Sequence, residues 1–133
     1  MTRAKDEFSA LAQEVQRACE GFSEKVGFAL VFGSAATGHA KADSDIDVAL
    51  YYLGDRTDAF EFLKVVSGRL SNRYDVKIFQ LLPLFVQVEA VQGHLLFGNE
   101  ALLYEVATAV VREYDSFRPR YLDYIRPYSE ASE

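Results

Sequence analysis

Three acids and a glycine-serine pair are the residues of this chain whose types and spacing could do chemistry. Gly33-Ser34 closes an apolar run, ten residues follow, and Asp45-Ile46-Asp47 opens a second apolar stretch. Asp75 lies further on, in Tyr74-Asp75-Val76-Lys77. Glycine lets the backbone approach a phosphate closely, and a serine after it offers hydroxyl and amide to phosphate oxygens, above all where a helical turn begins. Aspartates two apart on a strand project from one face with their backbones about 7 Å apart. Such carboxylates can converge on hard divalent cations, which prefer oxygen ligands. Two ions about 3.5–4 Å apart would lower the pKa of an attacking hydroxyl and stabilise charge on an α-phosphate, as phosphoryl and nucleotidyl transfer require.

Each of these residues also has a plainer reading. Asp45 and Asp47, with Asp43 and Ser44 just before them, would serve equally as a solvated acidic strand edge. Two unpaired acids on one face repel each other, so their joint presence demands either that edge or a cation, and the glycine-serine at the mouth of the preceding strand favours the cation. Asp75 is the candidate for a third metal ligand, since the next strand could bring it to the same sheet edge. The alternative for Asp75 is a surface acid paired with Arg73 or Lys77.

These residues need a sheet to hold them, and the pattern supplies one. Phe8, Leu11, Val15, Ala18 and Phe22 have helical spacing over 6–22, with Gly21 placed to stop the helix. Val26 to Phe32 reads as a buried strand ending at Gly33. Ile46, Val48 and Leu50 alternate with Asp45, Asp47 and Ala49, which predicts a strand with unlike faces and both acids on the same one. A second helix over 57–70 follows, with Thr57 or Asp58 as its cap, then a strand from Arg73 to Leu82 and a helix over 83–92 opened by Pro83 and ended by Gly93. His94 to Phe97 makes a short strand, with His94 a strand-end residue lacking metal partners. Asn99 caps a long last helix, which Pro119 should break or restart. The expected fold is therefore α/β, or α+β-like: a small mixed sheet flanked by helices, formed by a single domain over residues 1–133. Strands one and two are joined by about a dozen residues, enough for a helical turn or a long hairpin loop.

Composition narrows the classes of function. Half of the residues are hydrophobic and 26% are charged, the balance of an ordinary folded domain. One cysteine, Cys19, excludes an internal disulfide and a multi-cysteine zinc site, suits a reducing compartment, and reads as a small buried hydrophobe. The acidic residues near the amino terminus and the lack of a long apolar run argue against a signal peptide or membrane span, so a cytoplasmic location is expected. A net charge of −6 argues against long nucleic acids as direct partners and suits a basic protein partner. Tyr114, Tyr121, Tyr124 and Tyr128 crowd the carboxyl end with Phe117, Arg118, Arg120 and Arg126, either to pack the last helix or to meet a partner.

The pattern Gly33-Ser34-x10-Asp45-x-Asp47 with Asp75 resembles the polymerase-β-type nucleotidyltransferase superfamily, specifically its stand-alone minimal nucleotidyltransferase (MNT) group. The resemblance covers essentially the whole chain, including the order of elements. It implies the polymerase-β-type nucleotidyltransferase fold, with Gly33 and Ser34 holding the nucleotide triphosphate and Asp45, Asp47 and Asp75 holding Mg²⁺. It further implies an antitoxin that assembles with a HEPN-domain ribonuclease toxin and transfers AMP from ATP to a toxin tyrosine, adding bulk and charge where RNA phosphate must bind. One departure stands out. The family loop commonly continues with alanine, arginine and glycine, whereas this chain has Ala36-Thr37-Gly38. A phosphate clamp is thereby missing unless His39 or Lys41 supplies a donor, and both fit equally well as solvated loop residues. Two other functions compete: a non-catalytic nucleotide-binding antitoxin that acts by steric contact, and an aminoglycoside-type small-molecule nucleotidyltransferase, which would need pocket-building segments that this chain has little length to supply.

Overall fold

The computed structural model describes the backbone of residues 2–33, 36 and 45–131, with side chains over 8–33, 36 and 45–117. Its elements run α1 (Thr2–Ala18), β1 (Val26–Phe32), β2 (Ile46–Tyr52), α2 (Arg56–Arg69), β3 (Tyr74–Ile78), α3 (Leu84–Val91), β4 (His94–Gly98) and α4 (Glu100–Ala131). Single 3₁₀ turns, Ser23–Lys25 and Phe79–Leu81, precede β1 and follow β3.

The four strands lie in the order β3-β2-β1-β4. β1 is antiparallel to both β2 and β4, and β2 is parallel to β3, so the sheet is mixed as expected. β1 is central and apolar along its length because both of its faces are covered. Its Ala29 and Val31 join Val48, Leu50, Val76 and Ile78 under α1 and α2, which contribute Val15, Ala18, Phe62 and Val66. Its Phe28, Leu30 and Phe32 join Ala49 and Phe79 under α3 and α4, which contribute Ala90 and Val110. The alternation along β2 thus assigns Ile46, Val48, Leu50 and Tyr52 to the α1/α2 face and Asp47, Ala49 and Tyr51 to the α3/α4 face.

Boundaries differ from expectation where local hydrogen bonding decides them. Helix α1 is assigned over Thr2–Ala18, ending before Gly21, which adopts φ +91. The cap of α2 is Asp55, whose Oδ1 accepts from the Asp58 amide at 2.8 Å, rather than Thr57 or Asp58. β3 stops at Ile78 because Phe79 turns its ring into the core between Phe28 and Tyr51. Pro83 stands at the N-cap of α3, and the Gly93 amide closes on Ala90 O at 3.0 Å just after its end. Asn99 caps α4 as anticipated, with Oδ1 accepting from the Leu102 amide at 3.0 Å. Pro119 does not interrupt α4, which runs to Ala131. On that helix Tyr104, Val111 and Phe117 are exposed, whereas Val110 is buried; the side chains of Tyr121, Tyr124 and Tyr128 lie outside the described residues.

Two side chains fasten the layers. Arg69, at the end of α2, donates from Nη1 to the carbonyls of Ala18 (3.0 Å) and Glu20 (2.7 Å), closing the end of α1. The Tyr74 hydroxyl donates to Glu14 at 2.6 Å, tying β3 to α1, and burial first, then that bond, pushes the phenol well above its ordinary pKa. Cys19 is 2% exposed, and burial raises its thiol to about 11, as a small core residue requires. Among the described residues no helix is long and apolar enough to cross a membrane.

Candidate active site

The site is assembled at one end of the two central strands and the adjoining edge strand. β1 delivers Phe32 opposite Asp47, and the chain then turns through Gly33 at φ +73. A β-carbon at Gly33 would stand 2.5 Å from Asp47 Oδ2. The left-handed backbone favours glycine here, and a β-carbon would also make the Asp47 carboxylate turn aside. Ala36 donates its amide back to Gly33 O at 3.2 Å, the spacing of a turn. Ser34 and the loop residues Thr37, His39 and Lys41 lie outside the described residues.

Parallel pairing of β2 with β3 sets Asp47 directly beside Asp75, one in-register pair among Ile46–Tyr74, Asp47–Asp75 and Val48–Val76. Adjacent strands are about 4.8 Å apart, so the two acids are neighbours across the ladder and share the α3/α4 face. The expectation that Asp75 reaches the Asp47 edge is met by this register. Asp45 is exposed and precedes β2 by one residue, where the Ile46 amide bonds Arg73 O at 2.6 Å.

The electrostatics follow from this crowding. The Asp47 carboxyl is held above its ordinary range, first by burial and next by the Asp75 charge, with Glu89 and Asp45 adding to the effect and Lys77 opposing it. Glu89, on α3, was not among the residues that the sequence singled out. Its nearness depends on α3 folding back over the sheet, with Ala90 buried against it, and no local spacing announces that return. Lys77, two residues after Asp75 on the same strand face, places Nζ 2.9 Å from Asp75 Oδ1 and 2.8 Å from Oδ2. Asp75 thus stands beside Asp47 in the ladder and is at the same time paired with a lysine.

This donor set consists of carboxylate oxygens carrying surplus negative charge around a desolvated aspartate, which suits a hard cation such as Mg²⁺. Among the described residues no three His, Cys, Asp or Glu side chains are already gathered as a metal cage. His94, exposed on β4, stacks on Phe8 at 4.2 Å between centroids, on the side away from Asp47.

The model of the polymerase beta nucleotidyltransferase family matches residues 13–101. That span exceeds half of the chain and contains all four strands, Gly33 and the three acids, so the chain belongs to this nucleotidyltransferase family. A Methanocaldococcus jannaschii protein named "Putative protein adenylyltransferase" is 40% identical over 82 residues, 61% of this chain and 63% of that protein. The chain thus spans less than two thirds of the length of that relative. A solved toxin–antitoxin structure with AMP-PNP contains a chain that superposes with a TM-score of 0.74 at 16% identity, covering 89% of this chain and 98% of the other. A chain from the complex of a tri-AMPylated Shewanella oneidensis HEPN toxin with its MNT antitoxin gives a TM-score of 0.68 at 15% identity, covering 89% and 95%. At such identities the likeness is one of fold.

Proposed function

We propose that this chain is an MNT-type antitoxin that transfers AMP from ATP to a tyrosine of a HEPN-type ribonuclease toxin and thereby neutralises it. The observation that carries the reading is the in-register pair Asp47–Asp75 beside the left-handed Gly33, an acid pair set against a glycine turn. The relative named as an adenylyltransferase and the toxin–antitoxin structures of like fold support it.

In this reading Gly33 and Ser34 cradle the triphosphate with backbone and hydroxyl donors. Asp45, Asp47 and Asp75 would hold Mg²⁺, which supplies charge to the α-phosphate and acidifies the attacking hydroxyl. The tyrosine oxygen forms a bond to the α-phosphorus, the bond to pyrophosphate breaks, and pyrophosphate leaves with its electron pair. The phenolic proton passes to Asp75, the acid on the edge strand. The AMP added puts a negative phosphate where the toxin must receive RNA.

The test is incubation with α-labelled ATP, Mg²⁺ and the partner toxin. Label should appear on the toxin, and Asp45→Asn with Asp47→Asn should abolish it while circular dichroism stays unchanged. A second reading, an antitoxin that binds nucleotide without catalysis, is favoured by Thr37 in the place of the loop arginine. Toxin inhibition by both the wild type and the double variant, without label, would select it and remove the acids from the mechanism.

A further inference from the structure

We propose that Lys77 is a tethered counter-cation of the acid pair, a positioning residue that holds Asp75 while no metal is bound and competes with a divalent cation for it. The inference rests on the reading of Asp75 as a metal ligand and adds a residue and a regulation to that site.

The geometry is specific. Asp75 and Lys77 alternate onto one face of β3, and the ammonium lies within hydrogen-bond distance of both carboxylate oxygens. An ammonium held against both carboxylate oxygens takes up lone pairs that a cation would use and also repels the cation, so the two compete for Asp75. Occupation of Asp75 by Lys77 weakens its occupation by metal, and the reverse holds as well. β3 is an edge strand, and the two side chains are 50% and 40% exposed, so the pair can open without disturbing the core. Ion pairs this exposed are worth little to stability. The need for Lys77 comes instead from the charge around the neighbouring Asp47, where Asp75, Glu89 and Asp45 are of one sign and Lys77 alone opposes them. A lysine in this place offsets part of the acids' charge in the empty protein and weakens capture of stray cations.

The probe is Mn²⁺ alone, its free concentration followed by electron paramagnetic resonance on the intact chain without nucleotide. Lys77→Met should bind Mn²⁺ at least about fivefold more tightly than wild type, as loss of one nearby like charge in a partly hydrated site implies. Lys77→Arg, which keeps the charge, should stay within about twofold of wild type, on the same Coulomb argument. Asp75→Asn should weaken Mn²⁺ binding and erase the difference between lysine and methionine at position 77. If Asp75→Asn weakens binding but Lys77→Met binds no more tightly than wild type, the inference is overturned and the ligand role of Asp75 stands. If Asp75→Asn leaves Mn²⁺ affinity unchanged, Asp75 is not a ligand and both readings fall. Melting of each variant in EDTA verifies that the comparison is among folded proteins.

Discussion

Asp47 carries a cost that its neighbours on β2 do not. It is partly buried, it faces Asp75 across the ladder, and its carboxyl pKa is raised on folding by that burial and by the surrounding acids. A raised carboxyl pKa means that the folded state binds a proton more readily than the unfolded chain. The associated stability is fully present below the unfolded value, about 3.9, and is lost as pH rises through the folded one. At neutral pH the metal-free carboxylate is thus a burden on the fold. Asp47→Asn in EDTA should melt above wild type at pH 7, and the gain should vanish near pH 3. A variant that melts lower than wild type at pH 7 would mean that the carboxylate makes a stabilising contact which the asparagine cannot replace. Strain of this kind at one residue is what a binding site for cations would leave behind in their absence.

At the scale of elements, the sequence was read most easily where one face of an element is polar and the other buried. Alternation along β2 placed Asp47 on the face away from Val48 and Leu50, and Asn99 marked the start of α4 by its capping chemistry. What it did not disclose was set by tertiary contacts. Strand β3 could be read onward to Leu82, because Phe79 and Leu82 are as apolar as strand residues; their packing against Phe28 and Ala90 in the second core turns the chain instead. Glu89 was missed for the same reason, since only the return of α3 over the sheet brings it near Asp47. The Asp75 register likewise depended on which strand lay beside β2, which local periodicity cannot state. Arg69 is another such contact, joining α2 to the end of α1 across 49–51 positions of sequence. Arg69→Met should cost about 1–2 kcal/mol in chemical denaturation, the scale of two hydrogen bonds from a charged donor that is partly open to water. It lies under the α1/α2 face, so ATP affinity by calorimetry should be unaltered, and a large loss of affinity would mean that the two faces of the sheet are coupled.

Taken as a whole, the molecule is acidic, with a net charge of −6. If its partner is a basic RNA-cleaving protein, long-range attraction should speed their encounter and do little to hold the complex once formed. Raising ionic strength should therefore slow association by about tenfold or more while leaving dissociation nearly constant, in stopped-flow measurements across salt concentrations. An association rate indifferent to salt would show that charge does not guide the encounter.

The parallel ladder between β2 and β3 has a further consequence for how the site is lost. The spacing of Asp47 and Asp75 is set by backbone hydrogen bonds and not by the rotamers of long side chains, and one of the two strands lies in the interior of the sheet. Opening that spacing means exposing Val48, Val76 and Ile78 to water, so the β2 amides beside Asp47, inside the sheet, should exchange more slowly than the outward amides of β3. The two acids should then part only when the sheet itself comes undone, as a single cooperative event.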